Sequence, residues 1–492
     1  MEEELQASKY YPMKKIKNYI GGKLVEPVSG KYMDNIEPAT GEVYSHIPDS
    51  DEKDVQLAVD AAEKARYEWA TMPIEKRSAV LMKVADLIDE NLDLLAKAES
   101  IDNGKPISLS REVDIPRASS NFRFYAAAIV NQSTQAHITA DKGVNYTLRE
   151  PVGIAGCISP WNLPLYLFTW KIAPALASGN CVVAKPSEIT PMSAFLLSEL
   201  CIKAGLPAGV LNIVHGLGPK VGEAIISHPN IPAISFTGGT ATGKRIASIA
   251  APMFKKLSLE LGGKNPNIIF DDCDFEDALA TTIRSSFSNQ GQICLCGSRI
   301  YVQKGIYDKF LDAFVAKVTA MKVGDPLDEK TKTGAVVSEQ HQEKILHYIS
   351  LAQLEGGKVV AGGNAFNPEG RCRNGYFVQP TVITGLDESC RTNQEEIFGP
   401  VVTVQPFETE EEVIALANST NYGLSATVWT QNLTRAHRVG AALKSGIIWI
   451  NCWLVRDLRT PFGGMKQSGV GREGGDDALN FFTEAKNICI KV

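Results

Sequence analysis

The sequence predicts an α/β protein: two doubly wound parallel-sheet domains with a small β-arm. Three observations lead there. Short apolar runs alternate with helical stretches between residues 153 and 270, a second such series runs from about 299 to 451, and two partly alternating segments fall outside this rhythm. One strand then one helix, repeated, is how a parallel sheet covered on both faces is written, because each parallel crossover needs a helix. A chain of 492 residues has room for about two to four domains. Its 44% hydrophobic and 22% charged residues exclude disorder and fibrous repeats.

Taken in order, residues 51 to about 97 predict two amphipathic helices. Val55, Ala58, Ala62, Ala65 and Trp69 recur at helical spacing, and Leu81, Val84, Ile88, Leu92 and Leu95 do so again after a break at Pro73. Strands are predicted at residues 153–158, 181–184, 210–214, 233–236 and 267–270. The segments 144–149 and 487–492 look like exposed strands, which either pair with another subunit or form a surface hairpin and a frayed terminus.

Composition narrows the partners. Fifty Lys and Arg against 56 Asp and Glu leave a net charge of −6, which offers no basic field for nucleic acid or an anionic membrane surface. The ten cysteines include no Cys-x-x-Cys pair, which points to reduced thiols and a cytoplasmic setting. Met1-Glu2-Glu3-Glu4-Leu5 is acidic, and no run of about 18 apolar residues occurs, so neither signal peptide nor membrane span is expected. Seven scattered histidines without a His-x-x-x-His pair predict no metal site.

Three glycine-rich turns compete for a phosphate. Gly238-Gly239-Thr240-Ala241-Thr242-Gly243-Lys244-Arg245 follows a predicted strand and leads to a helix, where backbone amides and the helix dipole can receive an anion. It is no P-loop, since Arg245 stands where a magnesium-binding Ser or Thr is needed. Thr240 replaces the second glycine of the usual dinucleotide fingerprint, leaving a looser Gly-x-x-x-x-Gly turn. Gly216-Leu217-Gly218-Pro219 reads as structural, because Pro219 suits a plain helix start. Glycines 463, 464, 469 and 471 read as loop packing.

Three segments carry candidate chemistry. Cys294 lies in a polar, glycine-containing stretch; Cys296 beside it is a rival thiol with a packing role in view. Glu260 sits among apolar neighbours before Gly262-Gly263, where burial would raise its pKa into general-base range. Ser159-Pro160-Trp161-Asn162-Leu163-Pro164 is fixed by its two prolines and could aim the Asn162 amide at a developing oxyanion.

Together with Lys185-Pro186-Ser187-Glu188, Glu395-Glu396-Ile397-Phe398-Gly399-Pro400 and Pro461-Phe462-Gly463-Gly464, in this order, these segments resemble the NAD(P)-dependent aldehyde dehydrogenase superfamily over almost the whole chain. The resemblance implies an NAD-binding domain at 1–132 and 151–260, a catalytic domain at 261–450 with an active-site loop at 451–476, and an oligomerisation arm at 133–150 and 477–492. It implies Cys294 as nucleophile, Asn162 with the Cys294 N–H as oxyanion site, and Glu260 as base for the hydrolytic water. Cofactor contacts implied are Ser159, Trp161, Lys185, Glu188, Gly238, Gly239, Gly243, Glu396 and Phe398. NAD is expected over NADP, because the Glu188 carboxylate accepts ribose hydroxyls and repels a 2′-phosphate.

Within the superfamily, Asp114-Ile115-Pro116-Arg117, Asn121-Phe122-Arg123-Phe124, Gln292-Ile293-Cys294-Leu295-Cys296 and Asn451-Cys452-Trp453-Leu454-Val455-Arg456-Asp457-Leu458-Arg459 are similar to the muconic semialdehyde dehydrogenases, those acting on the 2-amino compound included. That implies an aldehyde carrying a distant carboxylate, clamped by Arg117 and Arg456, whose planar forks suit bidentate binding. A homodimer or homotetramer is implied as well. Open alternatives are a broad-specificity or retinal-oxidising enzyme with an apolar tunnel of Trp170, Phe287 and Trp453, and a non-catalytic protein on the same fold.

Overall fold

The computed structural model of the chain describes residues 14–491; the acidic opening at Met1 to Leu5 and the terminal Val492 lie outside the described residues. The first predicted helix spans Glu52–Thr71 and starts on Asp51, which accepts the Lys53 N–H while Asp54 reaches back to the Asp51 N–H. Val55, Ala58, Ala62 and Trp69 form its buried stripe. Pro73 breaks the chain as expected. The second predicted helix is two, Ile74–Glu90 and Leu92–Asn103. Asn91 leaves helical geometry and its side chain donates to the Leu87 carbonyl at 2.8 Å, competing with the backbone ladder. The apolar spacing carries on from Ile88 before this break to Leu92 and Leu95 after it, so periodicity could not reveal it.

The first sheet has eight strands, in the order Gly469–Val470, Lys256–Glu260, Ala233–Thr237, Ile154–Ile158, Cys181–Lys185, Leu211–Ile213, Asn18–Ile20 and Lys23–Val25. The central five are parallel and the flanking strands antiparallel. The order of the parallel strands reverses between Ala233–Thr237 and Ile154–Ile158, and a crevice for ligand opens at the carboxyl ends where such a reversal occurs. On its two sides stand the loop after Ile158 and the Gly238 turn.

The second sheet has seven strands, ordered Lys358–Ala361, Thr381–Thr384, Val401–Phe407, Arg299–Gln303, Pro266–Ile269, Ser425–Trp429 and Ile447–Ile450. Pro266–Ile269 follows the rhythm of the first series in sequence but is hydrogen-bonded into this second sheet. Carboxyl ends of the first sheet thus approach amino ends of the second, with Glu260 and Pro266 on either side of one short turn.

The two exposed-looking segments pair with each other. Gly143–Pro151 runs antiparallel to Thr483–Lys491 over nine residue pairs, and Ala136–Thr139 adds a third strand. Outer edges remain, and Ile138 and Ile490 stay exposed on this arm.

Candidate active site

The thiol loop is held from several directions. After the helix Phe275–Phe287 the chain turns through Asn289 (φ 51°) and Gln290 (φ 56°), left-handed conformations costly for residues with a Cβ. Fixed partners maintain them: Asn289 Nδ2 donates to the Asn162 carbonyl at 2.9 Å and Gln290 Nε2 to the Ala335 carbonyl at 2.6 Å. Asn265 Nδ2 donates to both the Cys294 and Cys296 carbonyls, at 2.7 and 2.9 Å. Cys294 is half-buried, whereas Cys296 is packed away, as its packing role requires.

The Asn162 loop leaves the end of Ile154–Ile158 and enters the helix Pro164–Ala177 at its first residue. Asn162 is buried, and its Nδ2 donates to the Gln292 carbonyl at 2.9 Å. One amide N–H is thus spent on the thiol loop itself, which fixes the amide two residues ahead of Cys294.

Glu260 ends the strand Lys256–Glu260, buried, with neither carboxylate oxygen hydrogen-bonded. Burial, then the nearby Glu473 carboxylate, push its pKa well above the ordinary carboxylate range against the pull of Lys171. The Pro461-Phe462-Gly463-Gly464 loop packs behind it, and a Cβ on Gly463 would come within 2.7 Å of Glu260 Oε1. Burial likewise raises the Cys294 thiol, with the Glu396 and Glu260 carboxylates adding to it. At rest the sulfur keeps its proton.

Cys294, Glu260, Arg117 and Arg456 line one cavity of about 370 Å³, a volume suited to a small organic molecule. The arginines converge on Tyr166. The Arg117 guanidinium lies 5.6 Å from that ring's centre and Arg456 Nη1 donates to its hydroxyl at 2.8 Å. Arg456 also stacks 4.0 Å over Phe462. Among the described residues neither arginine forms an ion pair. Of the three aromatic residues named for an apolar tunnel, one reaches the cavity, which is also lined by aliphatic side chains such as Leu163, Leu167 and Leu295. Trp453 lines the cavity, but Trp170 lies under Arg456 and Phe287 stacks on Phe314 in the core of the second sheet. Helical periodicity sends Phe287 inward.

The candidate cofactor residues follow the crevice. Lys185 Nζ meets Glu188 Oε2 at 2.7 Å. Burial alone would raise Glu188, but this ammonium holds its carboxyl below the usual range, so it is ionised. Gly239 precedes the helix Thr240–Ala250 with open space before its α-carbon, while Gly243 is pressed on Leu261. The Gly238 N–H donates to the Glu260 carbonyl at 3.0 Å, and Ser159 Oγ is buried without a partner. At the thiol end, Glu396 Oε1 accepts the Gly263 N–H at 2.9 Å, and burial raises its carboxyl. Phe398 (φ 63°) meets Trp161 edge-on at 5.2 Å. A dinucleotide fits this set: an open glycine at a helix start, an unpartnered hydroxyl and an ionised carboxylate lie along one crevice. The Gly216–Gly218 turn, read as structural, abuts it, for the Gly218 N–H points to Glu188 Oε1 at 3.5 Å.

Several residues escaped the sequence reading. Lys171 Nζ pairs with Glu473 Oε1 at 2.8 Å and donates to Ser235 Oγ at 3.1 Å, and Glu473 lines the cavity beside Glu260. A signal existed, since Lys171 is the only charge in the apolar helix Pro164–Ala177. His341, pushed down to about 4 by burial, is neutral and donates from Nε2 to the Phe398 carbonyl at 2.7 Å. Nothing local marked it. Among the described residues no group of His, Cys, Asp and Glu could hold a metal, and no helix is long and apolar enough to cross a membrane.

Known proteins share this arrangement of the whole chain. Residues 24–488 match the model of the aldehyde dehydrogenase family. A 2-aminomuconic semialdehyde dehydrogenase of Bos taurus is 52% identical over 480 residues, 97% of this chain and 98% of the relative. A 2-hydroxymuconic semialdehyde dehydrogenase of Pseudomonas sp. (strain CF600) is 46% identical over 486 residues, 98% of this chain and 100% of that one. The solved NAD+ complex of an aldehyde dehydrogenase from Bacillus cereus superposes with a TM-score of 0.95 at 41% identity, covering 99% of this chain and 98% of that one. The α/β fold, the paired sheets with their nucleotide crevice and these matches lead to one conclusion: the chain belongs to the aldehyde dehydrogenase family.

Proposed function

We propose that this enzyme oxidises 2-aminomuconic 6-semialdehyde, an aldehyde with a distant carboxylate, to 2-aminomuconate with NAD. One observation carries the reading: two arginines without carboxylate partners converge inside the cavity that holds Cys294 and Glu260. A free carboxylate is what two such unpaired planar forks bind best. Ionised Glu188 favours NAD, since a 2′-phosphate there would be repelled.

In this mechanism Arg117 and Arg456 grip the carboxylate and hold the aldehyde carbon at Cys294. The thiol gives its proton to solvent water, and the sulfur adds to that carbon; the second N–H of Asn162 and the Cys294 backbone N–H receive the new oxyanion. Bound NAD supplies the hydride acceptor that turns the thiohemiacetal into a thioester. Glu260 then takes a proton from water, hydroxide attacks the thioester carbon, the C–S bond breaks, and the acid leaves with Cys294 as thiolate. Domain limits of 1–132 with 151–260, 261–450 with 451–476, and an arm of 133–150 with 477–492 belong to the same reading. So do a cytoplasmic setting, supported by ten free cysteines, and a homodimer or homotetramer, supported by the arm's unpaired edges.

The test is NADH formation from NAD with 2-aminomuconic 6-semialdehyde beside neutral aldehydes of similar length. Arg117→Ala and Arg456→Ala should each cost about 2–4 kcal/mol, roughly thirty- to a thousand-fold in kcat/KM, on the acidic substrate alone. Equal losses on neutral aldehydes would remove the clamp, and no turnover of any aldehyde would remove the function.

A further inference from the structure

Under the Asn162 loop lies a buried charge cluster that the chemistry above leaves unused. The helix Leu92–Asn103 ends on Gly104 in the left-handed conformation (φ 83°), where a Cβ would meet the Ala335 carbonyl at 2.7 Å. That turn sends Lys105 inward, fully buried. Its Nζ bonds the Asp114 carboxylate, lies 3.5 Å from Glu99 Oε1 and donates to the Asn162 backbone carbonyl at 3.0 Å. Glu99 Oε2 in turn accepts the Leu165 N–H at 3.1 Å. Asp114 closes the π-helical turn Ser110–Asp114 and leads directly into the helix Ile115–Val130, which bears Arg117 one turn later.

Two buried carboxylates face one ammonium. Burial pushes Glu99 up to about 7 and raises Asp114 against the pull of the Lys105 ammonium, so a proton held on one of the two acids completes the neutralisation. As mere scaffolding this is a poor choice, because well-packed apolar residues usually serve stability as well as a buried ion cluster or better. What apolar residues could not do is hold a carbonyl oxygen. The Asn162 oxygen receives Lys105 Nζ at 3.0 Å and Asn289 Nδ2 at 2.9 Å, one from the cluster and one from the thiol loop. Its peptide is clamped from both sides, which sets the direction in which the side-chain amide leaves the backbone.

We propose that Lys105 is a positioning residue of the oxyanion site: with Glu99 and Asp114 it fixes the Asn162 peptide, and through Asp114 it ties that point to the turn that carries Arg117. The inference deepens the aldehyde-oxidising reading and rests on it. A donor displaced by a fraction of an ångström still folds and still binds substrate, but stabilises the oxyanion poorly.

A double-mutant cycle tests it, using the full-length enzyme with NAD and a neutral aldehyde so that the arginine clamp plays no part. Lys105→Met should lower kcat about ten- to a hundred-fold, with KM for NAD within about twofold, since the cofactor contacts are elsewhere. Placed in an Asn162→Ala background, the same change should cost nothing further. An equal loss in both backgrounds would overturn the positioning role and leave the aldehyde-oxidising reading intact; an Asn162→Ala enzyme with wild-type kcat would overturn the oxyanion role of Asn162 and the positioning role with it. Should Lys105→Met not fold, the charge-balanced pair Lys105→Gln with Asp114→Asn keeps volume and neutrality. It should show the same loss, and wild-type kcat in that pair would equally overturn the role.

Discussion

Cys294 and Glu260 hold their protons for the same reason: both are withdrawn from water, and neighbouring carboxylates oppose further negative charge. The reactive forms of both therefore become more populated as pH rises, so kcat should climb from neutral into alkaline pH. Cys294→Ala should abolish oxidation while NAD still binds, read by NADH absorbance and by a binding titration. Glu260→Gln should give a rapid burst of NADH followed by a slow steady state, because the acyl-enzyme then waits for its water. The same shift bears on stability. A carboxyl whose pKa is raised in the folded state contributes stability that is present below the ordinary range and is lost as pH climbs through the folded value. Glu260→Gln should accordingly raise Tm relative to wild type more at pH 9 than at pH 6. Local sequence made Glu260 and Cys294 visible because apolar or glycine-rich neighbours surround them. Glu473 and His341 were not visible, and the lone charge of Lys171 in its apolar helix could not say what it served, because what gives each a role is a partner 57 or more residues away.

Among the elements, the helix Thr240–Ala250 shows how a glycine can matter for packing instead of conformation. A Cβ on Gly243 would lie 2.6 Å from Leu261 Cδ2, and Leu261 follows Glu260 directly. Gly243→Val should push the helix off the sheet, costing about 1–3 kcal/mol in thermal unfolding and weakening NAD affinity in a titration. The strands were legible because each parallel strand is a short apolar run. Their sheet membership was not, and Pro266–Ile269 is the example: its alternation with helices is the same whichever sheet it enters. The break at Asn91 escaped for a related reason, since both helices bury faces in phase.

At the scale of the molecule, the arm joins segments more than 300 residues apart, so its formation reports closure of the entire chain. Deleting residues 485–492 removes most of the Thr483–Lys491 strand and uncovers Gly143–Pro151. Sedimentation should then show a smaller species than wild type, with a lower Tm; an unchanged assembly would separate the arm from subunit contact. The ion pair between Lys185 and Glu188 has a further effect at this scale. In the proposed role of these two side chains as ribose contacts, docking is an exchange of partners in which each new bond replaces an old one and the net gain is about 1 kcal/mol. Retention of the dinucleotide would then rest on its other contacts, the open helix start at Gly239 among them, and re-formation of the lysine–glutamate pair would favour departure of a spent cofactor.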